Sequence, residues 1–384
     1  MIVRDCGADM GYHDVQCLSH TFRGNDSACV ANGFECSDIP RECDTSHHRS
    51  MFRVEHGRCV LYGKYHIQIT MTDRRRRCLS SSDARFIEKA LAIQDVDPRD
   101  ARSLGYTARI LTIATLPHRA QPGDHYERTN GGYRLIVQAM PGAGLPFGSY
   151  PRLLLSWLST EIVRTRRREL ELGPSMAQFL KSLGLHTSGG RGCGASAGKP
   201  HSAGTIIRMR RQIVSLFGSR FILHNIARRH EGVELLPIGD GVELWWNAEV
   251  GPSPVFPSVI RVSEPFYEHV LRGPVPVDMR ALRAIKRSPL ALDMYTWLTH
   301  RNFVMRNGGR AATKIAWSAL QMQFGADYPL DSRGRADFKK AFYLAYRRVK
   351  AVYPAASLRD EGDAVTLVPS MPHVRPRRCS THSQ

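Results

Sequence analysis

The stretch GTIIRMRRQIVSLFGSRF (Gly204–Phe221) sets Arg208, Arg210 and Arg211 within four residues of a segment with helical spacing. Projected at about 100° per residue, Ile206, Met209, Ile213, Leu216 and Phe217 share one arc. Arg208, Arg211, Gln212 and Ser215 fall on the opposite side, and Arg210 flanks the apolar arc. Such a pattern suits a solvated surface helix, as most basic helices are, or a helix that meets nucleic acid. Arginine favours the second reading, because its planar fork bonds guanine O6 and N7 together, and glutamine does the same for adenine.

What surrounds this helix is decisive. Before it come RLLLSWLSTEIVRTRRREL, with Leu154, Trp157, Leu158, Ile162 and Val163 on a helical face, and PSMAQFLKSLGL, stopped by Gly184. Ser149 is the expected cap of the first helix, with Pro151 in its first turn. After it, SRFILHNIARRHEGVELLPIGDGVELWW alternates around turn signals at Glu231-Gly232 and Gly239-Asp240-Gly241, which reads as a hairpin. A second block repeats the order. SPLALDMYTWLTHRNFVM opens on a Ser288 cap and Pro289, KIAWSALQMQFG ends at Gly325, ADFKKAFYLAYRRVKAVYP stops at Pro354, and a hairpin turns at Glu361-Gly362. Trp157-Leu158-Ser159 and Trp297-Leu298-Thr299 lie 140 positions apart, which points to a duplicated domain.

Three helices followed by a two-stranded wing are the winged form of the helix-turn-helix, whose third helix enters the major groove. The expected fold class is therefore α+β, with two tandem winged-helix domains behind a helical N-terminal lead-in. Expected boundaries are 1–70 poorly structured, 71–147 a helical lead-in with one strand, 148–250 the first winged helix, and 251–384 a bridge and second winged helix with a basic C-terminal tail. In the second block Phe338, Phe342, Ala345 and Val349 form the inward stripe. Lys340, Arg347 and Lys350 point away from it, with Lys339 alongside, and lysine without a planar fork suits phosphate more than base edges. The candidate DNA-binding residues are thus Arg208, Arg211, Gln212, Ser215, Lys339, Lys340, Arg347 and Lys350.

Composition agrees with a polyanionic partner: 54 Lys+Arg face 35 Asp+Glu across 384 residues, a formal net charge of +19. Residues 1–70 depart from this, with seven basic against nine acidic residues and six of the nine cysteines. Their cysteines lack zinc spacing and their periodicity is poor, so an over-extended reading frame starting biologically at Met71 or Met51 is the expectation. No apolar run is long enough to cross a membrane and no leader pattern opens the chain, which leads to an expected cytoplasmic, nucleoid-associated or plasmid-associated location. The loop TSGGRGCGASAGKPHSAGT (Thr187–Thr205) fails as a P-loop, since Cys193 and Pro200 hold required positions. It also follows a helix where a dinucleotide site needs a strand. Arg191 and Lys199 could reach a DNA backbone from it, and a plain insertion explains it as well. No catalytic constellation, metal cluster or cofactor motif is expected.

The phrases GLPFGSYPRLLLSWLSTEIVRTRRRELELGPSMAQFLKSLGL, PVPVDMRALRAIKRSPLALDMYTWLTHR and WSALQMQFGADY…RADFKKAFYLAYRRVKAVYP resemble RepA-type plasmid replication initiators of Gram-negative bacteria. The resemblance runs from about Asp83 to Val374 and leaves out residues 1–70. It implies a non-enzymatic initiator without cofactors that binds double-stranded repeats (iterons) at an origin, promotes local opening, and recruits host replication initiator and helicase proteins. It also implies a switch between DNA-binding monomers and dimers that repress their own gene. On the residues themselves, Arg208, Arg211 and Gln212 are the base readers, and a site of about two helical turns is expected. A winged-helix transcriptional repressor without initiator activity is the alternative, and a DNA-processing enzyme the weakest reading.

Overall fold

The computed structural model describes residues 51–55, 58–62, 67–70, 80–186, 204–226, 232–243, 258–325 and 327–376. Residues 1–50, the expected start at Met71, and Arg191, Cys193 and Lys199 of the Gly-rich loop lie outside them. The chain divides into two units, residues 1–85 and 86–384. In the first, β1 (Met51–Glu55), β2 (Arg58–Tyr62) and β3 (Ile67–Thr70) form an antiparallel meander. Here the sequence suggested no regular structure, because strands of four or five residues offer too few positions for alternation to stand out.

α1 (Ser81–Gln94) leads into the second unit. β4 (Leu104–Thr107) and the single turn α2 (Ile110–Ile113) follow, with Ile110, Leu111 and Thr112 buried. β5 (His125–Asn130) and β6 (Tyr133–Ala139) precede α3 (Ser149–Thr165), β7 (Glu169–Glu171), α4 (Met176–Ser182) and α5 (Thr205–Phe217). The N-cap of α3 is Gly148 at φ 76, a left-handed backbone that favours glycine, so Ser149 lies inside the helix and caps nothing. Then come β8 (Ser219–Asn225), β9 (Gly232–Pro237), β10 (Gly239–Glu243) and β11 (Val259–Val262). α6 (Glu264–Arg272), β12 (Val275–Asp278) and α7 (Met279–Ile285) bridge to α8 (Pro289–Asn307). The Ser288 hydroxyl accepts from Ala291 N at 3.2 Å at the start of α8, as its sequence predicts. β13 (Thr313–Ala316), α9 (Trp317–Phe324), α10 (Ser332–Val352), β14 (Ser357–Asp360) and β15 (Ala364–Val368) complete the unit.

Both halves run helix, strand, helix, helix, followed by two strands in the later half and four in the earlier. The later half closes as the sheet β13-β15-β14, with its tight turn at Glu361-Gly362 as expected. The earlier half closes as β10-β11-β7, which the sequence did not anticipate. Its expected hairpin, β8–β9, instead joins the four-stranded sheet β5-β6-β8-β9. The cause is a full-length match: β8 pairs with β6 over seven residues, setting buried Leu223 and Phe221 against buried Leu135 and Val137. Alternation within a segment cannot name a partner eighty residues away, since strand preference is settled by cross-strand neighbours. β11, expected in the bridge, supplies the strand that the displaced hairpin leaves wanting.

The first helices of the two halves, α3 and α8, pack against one another and are buried on nearly every face. Leu154, Leu155, Leu158 and Ile162 of α3 belong to the core of the earlier half, while Leu153 on its other side belongs to that of the later half. Between the helices lies an ion pair whose two side chains are 3% and 2% exposed. Arg152 Nε donates to Asp293 Oδ1 at 2.6 Å and its Nη2 to Oδ2 at 2.7 Å. Nη2 also donates to Leu116 O, and Nη1 to Pro117 O and Gly148 O, so all five guanidinium donors are used. His118 Nε2 adds a contact to Asp293 Oδ2 at 2.9 Å.

Burial by itself would raise the pKa of Asp293, but the Arg152 charge and the hydrogen bonds from His118 and Arg152 hold it below the usual carboxylate range. The pair is therefore intact at every pH above the ordinary carboxylate value and is lost only as pH falls through the depressed one. Asp293→Ala leaves a buried, unpaired guanidinium and is expected to cost about 3–5 kcal/mol in urea unfolding, whereas Arg152→Met with Asp293→Leu restores most of it.

A second pH response comes from neutral histidines. His373 stacks on Tyr353 with ring centroids 5.0 Å apart and meets the Tyr295 hydroxyl at 2.7 Å, holding the 371–374 segment over α8. Burial pushes its pKa down to about 4, and His300 is lowered to about 4 by burial and by Arg109 and Arg301. The unfolded chain then binds protons that the folded one refuses, so stability falls as pH drops from about 6.5 towards about 4. His373→Gln is expected to shrink that fall in thermal unfolding between pH 7 and pH 4.5 (roughly the window set by these shifts) without abolishing it, because His300 remains.

Candidate nucleic-acid interface

α5 packs on α3 through Met209, Ile213 and Leu216, all fully buried, as the helical projection requires. Arg208 and Arg211 are exposed, as expected. Gln212 and Ser215 are not: they are 5% and 2% exposed. Gln212 Oε1 accepts from Phe147 N at 2.8 Å, and Ser215 Oγ donates to Ala143 O at 2.7 Å. The Gly- and Pro-rich segment between β6 and α3 lies across that side of the helix, so both side chains satisfy buried backbone groups instead of facing solvent. Their place on the outward arc is therefore corrected: a wheel shows which residues share a side, not what covers it. The exposed stripe is completed by Ile207 and Val214, 47% and 40% exposed.

α10 shows the same division. Asp331 Oδ1 accepts from Gly334 N at 2.6 Å to cap it, and a Cβ at Gly334 would lie 2.1 Å from Pro329 O, so only glycine admits this close turn. Phe338, Phe342, Ala345 and Val349 are buried on α8 and α9, as their spacing predicts. Lys340 and Arg347 are exposed, with Lys340 Nζ 3.5 Å from Asp337 and Leu344 lying between them at 57% exposure. Lys339 and Lys350 are half-buried and engaged. Lys339 Nζ donates to Gly362 O at 2.7 Å and stands 4.9 Å from the centre of the Trp317 ring, while Lys350 Nζ donates to Ala356 O at 3.1 Å. These two lysines fasten α10 to β14–β15 and its approach, which removes them from the outward face assigned by sequence.

The structure also brings forward cations that the sequence reading passed over. Arg333 and Arg335 are exposed at the start of α10, and Arg164, Arg166 and Arg167 at the end of α3. The runs RTRRR and SRGR carried that signal. The β14–β15 turn points the other way in charge, for Asp360, Glu361 and Asp363 are all exposed there. Hydrogen bonds from Thr366 and Lys314 hold Glu361 below the usual carboxylate range, and Lys314 pairs with both Glu361 and Asp363 at 3.2 and 3.6 Å. Among the described residues no group of three or more His, Cys, Asp and Glu is placed to hold a metal ion, and no helix is long and apolar enough to cross a membrane.

Of the eight expected contacts, Arg208, Arg211, Lys340 and Arg347 lie exposed on the outward sides of the third helices of the two halves. Residues 145–319 match the family of plasmid-encoded RepA proteins. That span bears out the resemblance over the first two quoted phrases; it runs from the turn before α3 to the start of α9, so it takes in α5 and the Arg152–Asp293 pair but neither α10 nor most of the third phrase. No curated protein matches the chain. Among solved structures, a crystal structure of selenomethionine derivatives of domains 2 and 3 of RctB is similar, with 13% identity and a TM-score of 0.41, covering 68% of this chain and 96% of that one. A second RctB structure of domains 2–3 gives 13% identity and a TM-score of 0.38, covering 67% and 95%.

Gln212→Ala separates the structural role from the contact role. Leaving Phe147 N unsatisfied is expected to cost about 1–3 kcal/mol in urea unfolding, with DNA affinity unchanged once the folded fraction is equalised.

Proposed function

We propose that this chain is a plasmid replication initiator that binds double-stranded repeats at an origin through two winged-helix modules. The observation that carries the reading is the RepA match together with the outward basic residues on α5, which lies within the matched span. In this reading α5 and α10 are the third helices of their modules, and the sheets β10-β11-β7 and β13-β15-β14 carry the wings. Arg208 and Arg211 meet base edges, and Lys340 and Arg347 meet phosphates or a second segment of groove. The second wing, with its acidic turn, stays clear of the backbone. The protein acts by binding and not by catalysis: it holds the duplex, favours opening next to the repeats, and recruits host initiator and helicase proteins. Its place of action is the cytoplasm, on plasmid DNA.

The deciding experiment places the gene and its flanking DNA on a circle with no other origin and asks whether transformants maintain it. Maintenance supports initiation. Loss of the circle, with good expression and intact binding upstream of the gene, points to repression alone.

On the DNA itself, Arg211→Ala is expected to relax base preference at one or two positions. Lys340→Ala and Arg347→Ala should weaken binding to all sequences alike and each flatten the salt dependence of log K by about one, measured by fluorescence anisotropy across salt concentrations. An Arg211→Ala protein with wild-type preference would place the base-reading face elsewhere.

A further inference from the structure

The outward stripe of α5 carries Ile207, Arg211 and Val214 at i, i+4 and i+7, with Arg208 beside it. That of α10 carries Lys340, Leu344 and Arg347 at the same spacing. One helix thus presents aliphatic, cation, aliphatic, and the other cation, aliphatic, cation. Single exposed aliphatics are ordinary on protein surfaces. Here they flank Arg211 on the stripe of α5 and sit between Lys340 and Arg347 on that of α10, interleaved with the very charges that would meet DNA.

Phosphate and sugar offer an aliphatic side chain little, and water offers it less. Among the base edges in the major groove the apolar group is the 5-methyl of thymine. We propose that Ile207, Val214 and Leu344 are specificity-determining residues that read thymine methyl groups, beside Arg208 and Arg211 at other base edges on α5 and between Lys340 and Arg347, which hold α10 on the duplex. The inference rests on the DNA-binding reading above and adds the class of base recognised. Seven residues separate Ile207 from Val214, about 10 Å along the helix, against about 3.4 Å between base pairs, so the two meet different pairs. Ile207 and Leu344 lie on different modules and are independent readers.

The probe is the duplex consensus that the full-length protein selects from a randomised pool, with each thymine replaced singly by deoxyuridine, which removes only the methyl. Wild type is expected to lose affinity about fourfold at several positions, the worth of one buried methyl. Leu344→Ala becomes insensitive at one of these and keeps the others, while Ile207→Ala and Val214→Ala each lose a different one. Their unfolding temperatures should match wild type, because the side chains removed are exposed.

Deoxyuridine that is silent at every position in the wild type overturns the proposal. So do variants that keep the whole wild-type pattern, and a variant that changes the oligomeric state in sedimentation with its pattern intact shows that these aliphatics dock protein instead. If the wild type selects no consensus, sequence-specific DNA binding fails and takes this inference with it. A clear consensus indifferent to deoxyuridine removes the inference and leaves the function standing.

Discussion

Arg152 and Asp293 meet where two water-excluded helices cross, and most of the later unit is positioned from that contact. A buried ion pair is a poor source of net stability, because desolving two charges offsets their attraction. What it supplies is position. The guanidinium can satisfy five donors only if Asp293, Leu116, Pro117 and Gly148 stand where they do. α5 packs on α3 and α10 packs on α8, so the two exposed stripes are related to one another through this crossing. A shift of α3 against α8 would move one stripe relative to the other and break the bonds of the buried pair.

The two third helices are anchored by different chemistry. α5 is held by neutral hydrogen bonds between Gln212 and Ser215 and the backbone of the preceding segment, while Arg208 and Arg211 stay exposed. α10 is held by charged groups, with Lys339 over Trp317 and at Gly362 O and Lys350 at Ala356 O. Half of the polar residues picked out by the helical wheel are thus consumed in building the fold. The other half, Arg208, Arg211, Lys340 and Arg347, stay exposed.

Much of this is legible in the sequence. The order of helices in both halves followed from apolar spacing, from Ser288-Pro289 at a start and from Gly184 and Gly325 at stops, because caps and stripes are local properties. The partner of β8 was not legible, since β6 lies far back in the chain and nothing in either strand names the other. Nor was the covered side of α5: Gln212 looks identical on a wheel whether it faces water or Phe147 N. Lys339 and Lys350 misled for a related reason, their long stems letting a charge at the edge of the apolar stripe bend back onto Trp317 or a carbonyl. Ser149 looked like a cap, yet the backbone turned one residue earlier at Gly148, where a positive φ was available.

The crossing at Arg152 and Asp293 has one more consequence, for assembly. The two halves share an order of elements, so an α3 could in principle lie against another α3, or an α8 against another α8. Either arrangement would bring two like charges together out of water: two guanidiniums in the first case, two carboxylates in the second. The cation on one helix and the anion on the other make the contact between unlike halves the one that neutralises itself. Two halves with a similar order of helices thereby carry, in two side chains, the rule that tells them apart.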